Sequence, residues 1–371
     1  MTTSETLRRT PLHARHVAMG ARMVPFGGWD MPVQYSGIVD EHNAVRNAAG
    51  LFDISHMGEI EVKGPDALAF LQSIATQDIA TISEGQSNYS LLCHPNGGIV
   101  DDIFVYNLPD GYLVVVNASN TDKDFAWMQE HVRGFDVTIT NISDEAAMLA
   151  LQGPHAKTIL SKAVDVDVAS LPFHGVTTGM LLGRIPGIIA RTGYTGEDGF
   201  ELFVDNVYVE ELWDSLLLLG ADDGLKPCGL GARDSLRFEA CLALYGHEID
   251  DNINPYEARL GWVVKLDKGP FVGREALQQI KQNGVARKLA GFEVIERGIA
   301  RGGYEIRSRD GERIGFVTTG MPSPTLGKNL GLGYVPTELT KEGSEFNVVI
   351  RDRPARARVV KTPFYKPRYK K

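Results

Sequence analysis

The chain has 371 residues, of which 43% are hydrophobic and 23% are charged, and its formal net charge at pH 7 is −9. The composition is that of an ordinary globular protein, the acidic balance disfavours general nucleic-acid binding, and no apolar run approaches the roughly 20 residues that a membrane-spanning helix needs. A chain of this length exceeds the size at which one hydrophobic core usually keeps growing, so two or three domains are expected.

The cysteines and the N-terminus indicate the cellular compartment of the protein. Cys93, Cys228 and Cys241 show no CxxC spacing and are odd in number, which is typical of reduced thiols rather than of a disulfide framework. The segment Met1 to Leu12 has no apolar core and is not a secretory signal. A cytoplasmic location is predicted, or the mitochondrial matrix if a targeting peptide has been removed.

Short segments rich in β-branched and aromatic residues alternate with Gly, Pro, Asn and Asp clusters along the chain. This pattern predicts mostly antiparallel sheets with helices packed on them, which is an α+β fold. Before residue 280 the predicted strands include Tyr89–Cys93, Ile99–Tyr106, Tyr112–Asn117 and Glu201–Val204.

An arrangement of a strand, a Gly-Pro break and a helix occurs twice, over Gly58–Leu71 and Ala147–Leu160. A proline in the first turn of a helix already has a suitable φ and loses no hydrogen bond there. The recurrence indicates either two related halves or the chance repetition of a common junction. The sequence alone favours neither explanation.

Two hydrophobic runs flank Pro95–Gly98, a turn signal that predicts a β-hairpin. The second run carries two adjacent carboxylates, Asp101 and Asp102. Strict alternation places Asp102 on the same face as Val100 and Tyr106, and Asp101 on the opposite, equally apolar face. At least one carboxylate is therefore expected to be partly buried, as a structural hydrogen-bonding centre or as a catalytic base with a shifted pKa. Periodicity does not choose between the two aspartates.

A glycine-rich loop precedes the predicted strand that begins at Glu201. Its glycines, Gly193, Gly196 and Gly199, allow the backbone to approach a flat ligand closely. A carboxylate after such a loop is suited to accept hydrogen bonds from the ring N–H groups of a pterin or a purine. A glycine-rich hairpin with a solvated Glu201 explains the same pattern.

A predicted helix after Cys228 carries Arg233, Arg237 and Glu239. The guanidinium of Arg233 can bind a carboxylate through two parallel hydrogen bonds. Alternatively, the charges of this helix pair only with one another, as the i,i+3 spacing of Asp234 and Arg237 allows.

The C-terminal part of the chain has a different pattern. A predicted short helix over Phe271–Ile280 is followed by glycine-punctuated strands, Leu289–Val294, Tyr304–Arg307, Arg313–Thr318 and Glu345–Arg351. Such regularly spaced short strands predict a small β-barrel or a jelly roll. We place the domain boundary near residue 280, which gives a two-lobed body over 1–280 and a C-terminal barrel over 281–371.

The end of the chain is basic. Between Arg351 and Lys371 there are nine Lys or Arg residues and one acid, Asp352. A solvated tail explains this run of charge. The alternative is a contact with an anionic ligand or an acidic partner protein.

Several motifs are absent from the sequence. It contains no GxxxxGK[ST] phosphate loop, no complete GxGxxG fingerprint, no HExxH, no GxSxG and no clustered Cys/His set. Nucleotide, metal-dependent and serine-hydrolase chemistry are therefore disfavoured, and no metal site is expected.

Eight segments, in the order in which the family has them, closely resemble the glycine cleavage T-protein family. The likeness covers essentially the whole chain. The segments are Arg9–Leu12, Pro25–Tyr35, Leu51–Met57, Asn96–Asp102, Ala150–Pro154, Gly193–Glu197, Ala232–Arg237 and Gly320–Pro324. The resemblance implies a three-lobed α+β fold with a C-terminal β-barrel around a central folate cavity.

The resemblance also implies the chemistry. Members of this family transfer the methylene carbon from the aminomethyl-lipoyl arm of H-protein to tetrahydrofolate. The products are ammonia, 5,10-methylenetetrahydrofolate and dihydrolipoyl H-protein, and no metal is required. The expected partners are therefore lipoylated H-protein and tetrahydrofolate, and the basic C-terminal segment is a candidate contact for an acidic carrier or a polyglutamate tail.

Matching positions in the family imply the site residues. The catalytic carboxylate corresponds to Asp102. The implied folate-binding residues are Glu201, Arg233, Tyr194, Tyr89, Tyr106, Asn117, Met57 and Tyr369. Because the tail varies in length within the family, Tyr365 is an alternative to Tyr369.

Two other functions are compatible with such a likeness. One is a related enzyme with a different one-carbon donor, such as a demethylase or a domain of a dimethylglycine- or sarcosine-oxidising enzyme, although the chain lacks a flavin fingerprint. The other is a non-enzymatic folate-binding protein linked to iron–sulfur assembly. The presence of Asp102, Glu201 and Arg233 together favours catalysis.

Overall fold

The structure, a computed structural model, describes residues 6–366 of the chain, so the predicted folate contact Tyr369 lies outside the described residues. The helices are α1 (His13–Ala18), α2 (Ile38–Asn47), α3 (Ala67–Ile74), α4 (Thr121–His131), α5 (Ala156–Leu160), α6 (Val209–Leu219), α7 (Leu230–Glu239) and α8 (Arg274–Asn283). The strands are β1 (Arg22–Phe26), β2 (Trp29–Gln34), β3 (Ala49–Asp53), β4 (Gly58–Lys63), β5 (Gln86–Cys93), β6 (Ile99–Leu108), β7 (Gly111–Val116), β8 (Thr138–Asn141), β9 (Ala146–Gln152), β10 (Val176–Leu181), β11 (Ile185–Ala190), β12 (Gly199–Asp205), β13 (Leu225–Pro227), β14 (Arg287–Val294), β15 (Glu305–Arg307), β16 (Arg313–Pro322), β17 (Asn329–Pro336), β18 (Glu345–Ile350) and β19 (Arg353–Val359).

The first sheet of the body has the strand order β5-β6-β7-β4-β8, and each neighbouring pair is antiparallel. Helices α3 and α4 cover one face because their apolar side chains meet the inward-facing Val and Ile residues of the sheet. This core includes Phe70, Leu71 and Met128 from the helices and Ile60 and Val105 from the strands. Full burial of such a side chain contributes about 1.5–3 kcal/mol.

The second sheet has the order β10-β11-β12-β9-β3-β13, in which β13 runs parallel to β3 and the other pairs are antiparallel. Helices α5 and α6 cover its outer face. Leu160, Trp213 and Leu216 from these helices pack against Phe200 and Leu202 of β12.

The two sheets share an order of elements. In the first, β4 is followed by α3, by strands β5 to β7, by α4 and by β8; in the second, β9 is followed by α5, by strands β10 to β12, by α6 and by β13. The second sheet differs in having β3 inserted between β9 and β13. At the repeated junctions Gly64 and Gly153 have φ angles of 135° and 125°, which favour glycine. The shared order supports two related halves, which stays a prediction.

The inner faces of the two sheets pack against each other. Tyr106 and Leu113 of the first sheet meet Phe52 and Phe203 of the second in one core, which Leu236 of α7 also enters. The rings of Tyr106 and Phe203 touch edge to face, with centroids 5.4 Å apart. Val45 of α2 and Ala232 of α7 belong to the same core, so the helix that carries Arg233 lies beside it.

Strands β14 to β19 form a closed barrel in the order β14-β17-β16-β15-β18-β19. Its interior is filled by side chains such as Phe292, Val317 and Phe346. The predicted α+β class with a C-terminal barrel is therefore confirmed. The predicted boundary at residue 280 falls inside α8, which continues to Asn283, and the division at that point stays a prediction.

Part of the basic C-terminal segment belongs to the barrel. Arg356 lies 3.7 Å from Glu296, and Arg358 donates two hydrogen bonds to Glu345 at 2.8 and 3.0 Å. These charges are therefore partly neutralised within the barrel. In the described part of the segment, Lys361 and Lys366 are exposed.

Three further features concern the described part of the chain. Within residues 6–366, no helix is long and apolar enough to cross a membrane. Cys93, Cys228 and Cys241 are free thiols, and the first two are buried. Over the same residues, no three His, Cys, Asp or Glu side chains are grouped so that they could hold a metal ion.

Candidate active site

Strands β5 and β6 form the hairpin that the sequence predicts, joined by a turn over residues 94–98. Gly98 is required in this turn because a Cβ there would lie 2.0 Å from the carbonyl oxygen of Asp251. The hairpin thereby places Asp101 and Asp102 in the second position of the sheet, next to its edge strand β5.

A β-bulge near the start of β6 changes the direction of its side chains. The register of the two strands shifts between Leu92 and Cys93, so Val100 is an extra residue in β6. Val100 packs with Ile103 in the core under α3 and α4. The prediction that Val100 shares a face with Asp102 is therefore wrong, because strict alternation does not include the bulge. Bulges often redirect side chains beside active sites.

Asp102 receives two hydrogen bonds from side chains. The Tyr89 hydroxyl donates to its Oδ2 at 3.2 Å, and the Asn117 Nδ2 donates to its Oδ1 at 2.7 Å. Burial and then the neighbouring Asp101 raise the pKa of Asp102 to about 7, although these two hydrogen bonds oppose the shift. A carboxyl group with this pKa can hold or release a proton near neutral pH, as an acid–base catalyst must.

Glu201 lies in β12 and faces the first sheet. Its Oε2 accepts hydrogen bonds from the Tyr106 hydroxyl, at 3.1 Å, and from the Thr192 hydroxyl. Among the described residues, none donates a hydrogen bond to the Glu201 Oε1. One oxygen of this carboxylate is thus held in place, and the other is available to accept hydrogen bonds from a ligand.

Arg233 and Tyr194 form a cation–π pair. The guanidinium carbon of Arg233 lies 4.7 Å from the centroid of the Tyr194 ring, whose hydroxyl donates to the carbonyl of Ala243. Within the described chain, the guanidinium of Arg233 donates no hydrogen bond to another residue. Burial lowers the pKa of Arg233, while the nearby charge of Glu201 opposes this. Arg233 therefore offers a charged donor group next to Glu201.

The glycine-rich loop before β12 surrounds the buried side chain of Gln152. A Cβ on Gly193 would lie 2.0 Å from the Gln152 Oε1, and one on Gly199 would lie 2.5 Å from its Nε2. Gln152 in turn donates to the carbonyl of Thr192 at 3.1 Å and accepts from the Thr195 hydroxyl at 2.9 Å. Two of the glycines thus accommodate Gln152, which fixes the backbone on both sides of Tyr194.

The predicted residues within 6–366 converge on one region between the sheets and α7. Tyr89 bonds to Asp102 and Tyr106 bonds to Glu201, and the ring of Phe104 lies between these two tyrosines. Its centroid is 6.5 Å from that of Tyr89 and 5.3 Å from that of Tyr106. Asp102 contributes to raising the pKa of Tyr194, after the dominant effect of burial, so these two groups are also close.

The remaining predicted residues lie around this region. Met57 packs against the core between the sheets. Asn117 bonds to Asp102, and Tyr365, the alternative to Tyr369, is buried with the Arg46 guanidinium 3.8 Å from its ring centroid.

Two residues at this site were not predicted as site residues. Trp262 is 58% exposed and stacks on Tyr89, with centroids 5.9 Å apart and an interplanar angle of 22°. His56 is buried, and burial and then Arg233 lower its pKa to about 4, so the ring is neutral at pH 7. The spacing of a single tryptophan or histidine in the sequence does not indicate a binding site. The positions of Trp262 and His56 at this site depend on contacts with distant elements.

A separate cavity of about 670 Å³ opens between the two sheets. Its lining includes Leu113, Met180 and Phe203 together with the acidic Glu59 and Asp205. None of the predicted site residues within the described chain lines this cavity. It is therefore not the site predicted from the sequence.

Comparison with known proteins identifies the family. The model of the GCVT N-terminal domain matches residues 12–268, and that of the glycine cleavage T-protein C-terminal barrel domain matches residues 287–366. An aminomethyltransferase of Herpetosiphon aurantiacus is 59% identical over 98% of this chain and 100% of the relative. One of Desulforamulus reducens is 52% identical over 98% and 99%.

A solved structure agrees with these sequence matches. The glycine cleavage system aminomethyltransferase T of Bartonella henselae is 35% identical to this chain and superposes with a TM-score of 0.91. The match covers 97% of this chain and 99% of the Bartonella chain. From the two domain matches, the full-length relatives and the superposition, we conclude that this chain belongs to the glycine cleavage T-protein family of aminomethyltransferases.

Proposed function

We propose that this chain transfers the methylene carbon of an aminomethyl-lipoyl arm, carried by H-protein, to tetrahydrofolate, with Asp102 as the catalytic carboxylate. Ammonia, 5,10-methylenetetrahydrofolate and the dihydrolipoyl arm are the products. The observation that carries the proposal is the buried Asp102, whose pKa burial and Asp101 raise to about 7, in the same region as the open oxygen of Glu201 and the free donors of Arg233.

Glu201 and Arg233 are suited to bind the folate. The Glu201 Oε1 can accept hydrogen bonds from ring N–H groups of the pterin while Tyr106 and Thr192 hold the Oε2. A hydrogen bond to a charged acceptor contributes about 1.5–3 kcal/mol. The guanidinium of Arg233 supplies donors and a positive charge, and its stacking on Tyr194 restricts its orientation. Tyr89 and Trp262 add aromatic surface beside Asp102.

Asp102 is suited to act on the N10 side of the bound folate, where it favours attack by N5 on the methylene carbon. With a pKa of about 7, Asp102 can also hold a proton that is needed when ammonia leaves. The Tyr89 hydroxyl and the Asn117 amide fix the orientation of its two oxygens. Positioning of this kind removes much of the entropic barrier, and the surrounding apolar side chains exclude water that would hydrolyse a reactive one-carbon group.

The proposed function is tested by reconstitution. Purified protein is mixed with aminomethylated H-protein and tetrahydrofolate, and ammonia and 5,10-methylenetetrahydrofolate are measured. We expect both products in equal amounts, and only when folate is present. Tight folate binding without ammonia release would support a non-enzymatic folate-binding protein instead, and transfer from another one-carbon donor alone would support the related enzymes.

Replacement of Asp102 tests its role directly. Because the carboxyl group takes part in proton transfer, Asp102→Asn should lower kcat by about 10²–10⁴-fold. Folate affinity, measured by calorimetry, should change little because Glu201 and Arg233 remain. The matched control is Asp110→Asn, which changes an exposed aspartate in the turn after β6. Wild-type turnover in Asp102→Asn would refute the assignment.

A cytoplasmic location stays a prediction.

A further inference from the structure

Asp101 lies beside the proposed catalytic residue but faces the opposite side of β6. Its side chain is fully buried and accepts three hydrogen bonds. The donors are the backbone N–H of Asn117 at 3.0 Å, the Asn117 Nδ2 at 2.8 Å and the Asn120 Nδ2 at 2.8 Å. Because an ionised carboxylate is purely an acceptor, this set of N–H donors is complementary to a charged Asp101.

The Asn117 amide connects the two aspartates. Its Nδ2 lies 2.8 Å from the Asp101 Oδ1 and 2.7 Å from the Asp102 Oδ1, and a side-chain amide has two N–H bonds to donate. The backbone N–H of Asn117 also donates to Asp101. Asp101 therefore accepts hydrogen bonds from both the backbone and the side chain of the residue that contacts Asp102.

We propose that Asp101 is a positioning residue of the transfer reaction, which acts on Asp102 through the shared Asn117 amide and through its own buried negative charge. The proposal rests on the proposed function of Asp102. It gives Asp101 a role that differs from that of the neighbouring carboxylate: Asp101 does not touch the substrates, whereas Asp102 does.

Among the described residues, no basic side chain forms an ion pair with Asp101. Burial and then Asp101 raise the pKa of Asp124 in α4 to about 11, so Asp124 is neutral at pH 7. Lys123 lies 3.9 Å from Asp124, but its Nζ donates to the Val100 carbonyl at 2.5 Å and to the Tyr245 hydroxyl at 3.0 Å.

On the other side, the groups that face Asp102 are phenols. Burial and then Asp102 raise the pKa of Tyr89 in β5. Burial is also the main cause that raises the pKa of Tyr194, which therefore stays uncharged. The ionised neighbour that acts most strongly on Asp102 is thus Asp101, and its effect is to favour the protonated form of Asp102.

Two substitutions should move the proton affinity of Asp102 in opposite directions. Asp101→Asn removes the neighbouring negative charge, so the pKa of Asp102 should fall. Asn117→Ala removes a hydrogen bond that favours the ionised form, so the pKa of Asp102 should rise. Effects of this kind amount to about one pH unit or more. A merely structural role of Asp101 would lower the stability of Asp101→Asn without lowering the pKa of Asp102.

The experiment measures kcat against pH and, independently, titrates the infrared band of the protonated carboxyl group. The band is assigned by its loss in Asp102→Asn. We expect both midpoints to fall in Asp101→Asn and to rise in Asn117→Ala, whereas Asp122→Asn, an exposed aspartate of α4, leaves them unchanged. Thermal unfolding of each variant shows that it is folded at the assay temperature.

The outcomes separate the two proposals. If the wild-type protein transfers the carbon but both midpoints in Asp101→Asn and Asn117→Ala match the wild type, the role of Asp101 is wrong and the proposed function stands. If the infrared midpoints shift as expected but no folate-dependent ammonia is released, the proposed function is wrong. In that case the electrostatic effect of Asp101 on Asp102 remains. Should Asp101→Asn fail to fold, Asp101→Ser, which also removes the negative charge, takes its place, and an unchanged midpoint in that variant would overturn the proposal.

Discussion

At the scale of single residues, the two carboxylates of the site have different surroundings. Asp102 accepts one hydroxyl and one amide hydrogen bond and lies next to another carboxylate, which favours its protonated form. Glu201 accepts two hydroxyl hydrogen bonds at one oxygen and has Arg233 nearby. These environments suit proton exchange by Asp102 and the binding of N–H donors by Glu201.

The binding role of Glu201 predicts a change in affinity. In Glu201→Gln a charged acceptor becomes neutral, so we expect the KM for tetrahydrofolate to rise about 10–100-fold, as the loss of charged hydrogen bonds implies. The rate at saturating folate should fall much less, because Asp102 is intact. Steady-state kinetics with Glu210→Gln, an exposed glutamate of α6, as control would measure this. An unchanged KM would exclude Glu201 from folate binding.

At the scale of elements, the site depends on two local departures from regular structure. The bulge at Val100 turns this residue into the core under α3 and α4, whereas Asp102 shares the other face of β6 with Tyr106. The loop before β12 is shaped by the buried side chain of Gln152, which occupies the space beside Gly193 and Gly199. The bulge and the loop therefore determine which way the polar groups of the site point.

The loop predicts a coupling between two positions. Gly193→Ala puts a methyl group where the Gln152 side chain lies, so we expect a loss of stability of about 1–3 kcal/mol, as overpacking usually costs. Folate affinity should also fall because Tyr194 follows directly. If the clash is the cause, Gly193→Ala should cost less in a Gln152→Ala background, measured by urea unfolding in a double-mutant cycle. Additive losses would mean that the cause lies elsewhere.

At the scale of the whole molecule, buried ion networks connect the body to the barrel. Arg46 of α2 donates to Glu239 of α7 at 2.9 Å and to Glu197 at 3.0 Å. Glu239 in turn accepts from the Thr325 backbone N–H at 3.0 Å, in the turn between β16 and β17. Arg237 of α7 donates to Glu248 at 2.6 Å, and Glu248 accepts from the Thr319 hydroxyl of β16 at 2.6 Å. Breaking a buried pair by removing one partner is strongly destabilising because the other charge is left uncompensated.

The network predicts a pH-dependent stability. Burial alone would raise the pKa of Glu239, but hydrogen bonds from His42, Ser323 and Thr325 lower it to about 2. The depressed pKa contributes about 3 kcal/mol above pH 4.5, and this contribution is lost as the pH falls toward 2. Glu239→Gln should therefore cost about 3–5 kcal/mol at pH 7 and lose this part of the acid dependence.

The comparison requires unfolding free energies at pH 7 and pH 3. The control is Asp40→Asn, which removes an exposed ion pair with Lys226 and should cost less than about 1 kcal/mol. Equal losses in the two variants at pH 7 would contradict the special role of the buried network.

Local patterns were sufficient for several parts of this protein. Apolar runs around a turn signal predicted the β5–β6 hairpin, and regularly spaced short strands predicted the barrel. The segment after Cys228 was predicted as the helix that carries Arg233, which is α7. These features depend on residues a few positions apart, which a sequence displays directly. The family likeness, carried by segments along the whole chain, was likewise present in the sequence and added the fold and the reaction type.

The tertiary structure decided how distant residues act on one another. Arg46 and Glu239 are 193 residues apart, Tyr106 and Glu201 are 95 apart, and Asn117 is 15 residues from the carboxylate it contacts. Strand alternation could not choose between Asp101 and Asp102, and only the family resemblance implied Asp102; the structure places the two on different sides of β6 with different partners. The physical reason is that burial and electrostatic effects depend on contacts across elements. Local sequence patterns specify the elements, whereas packing sets the surroundings of each charge.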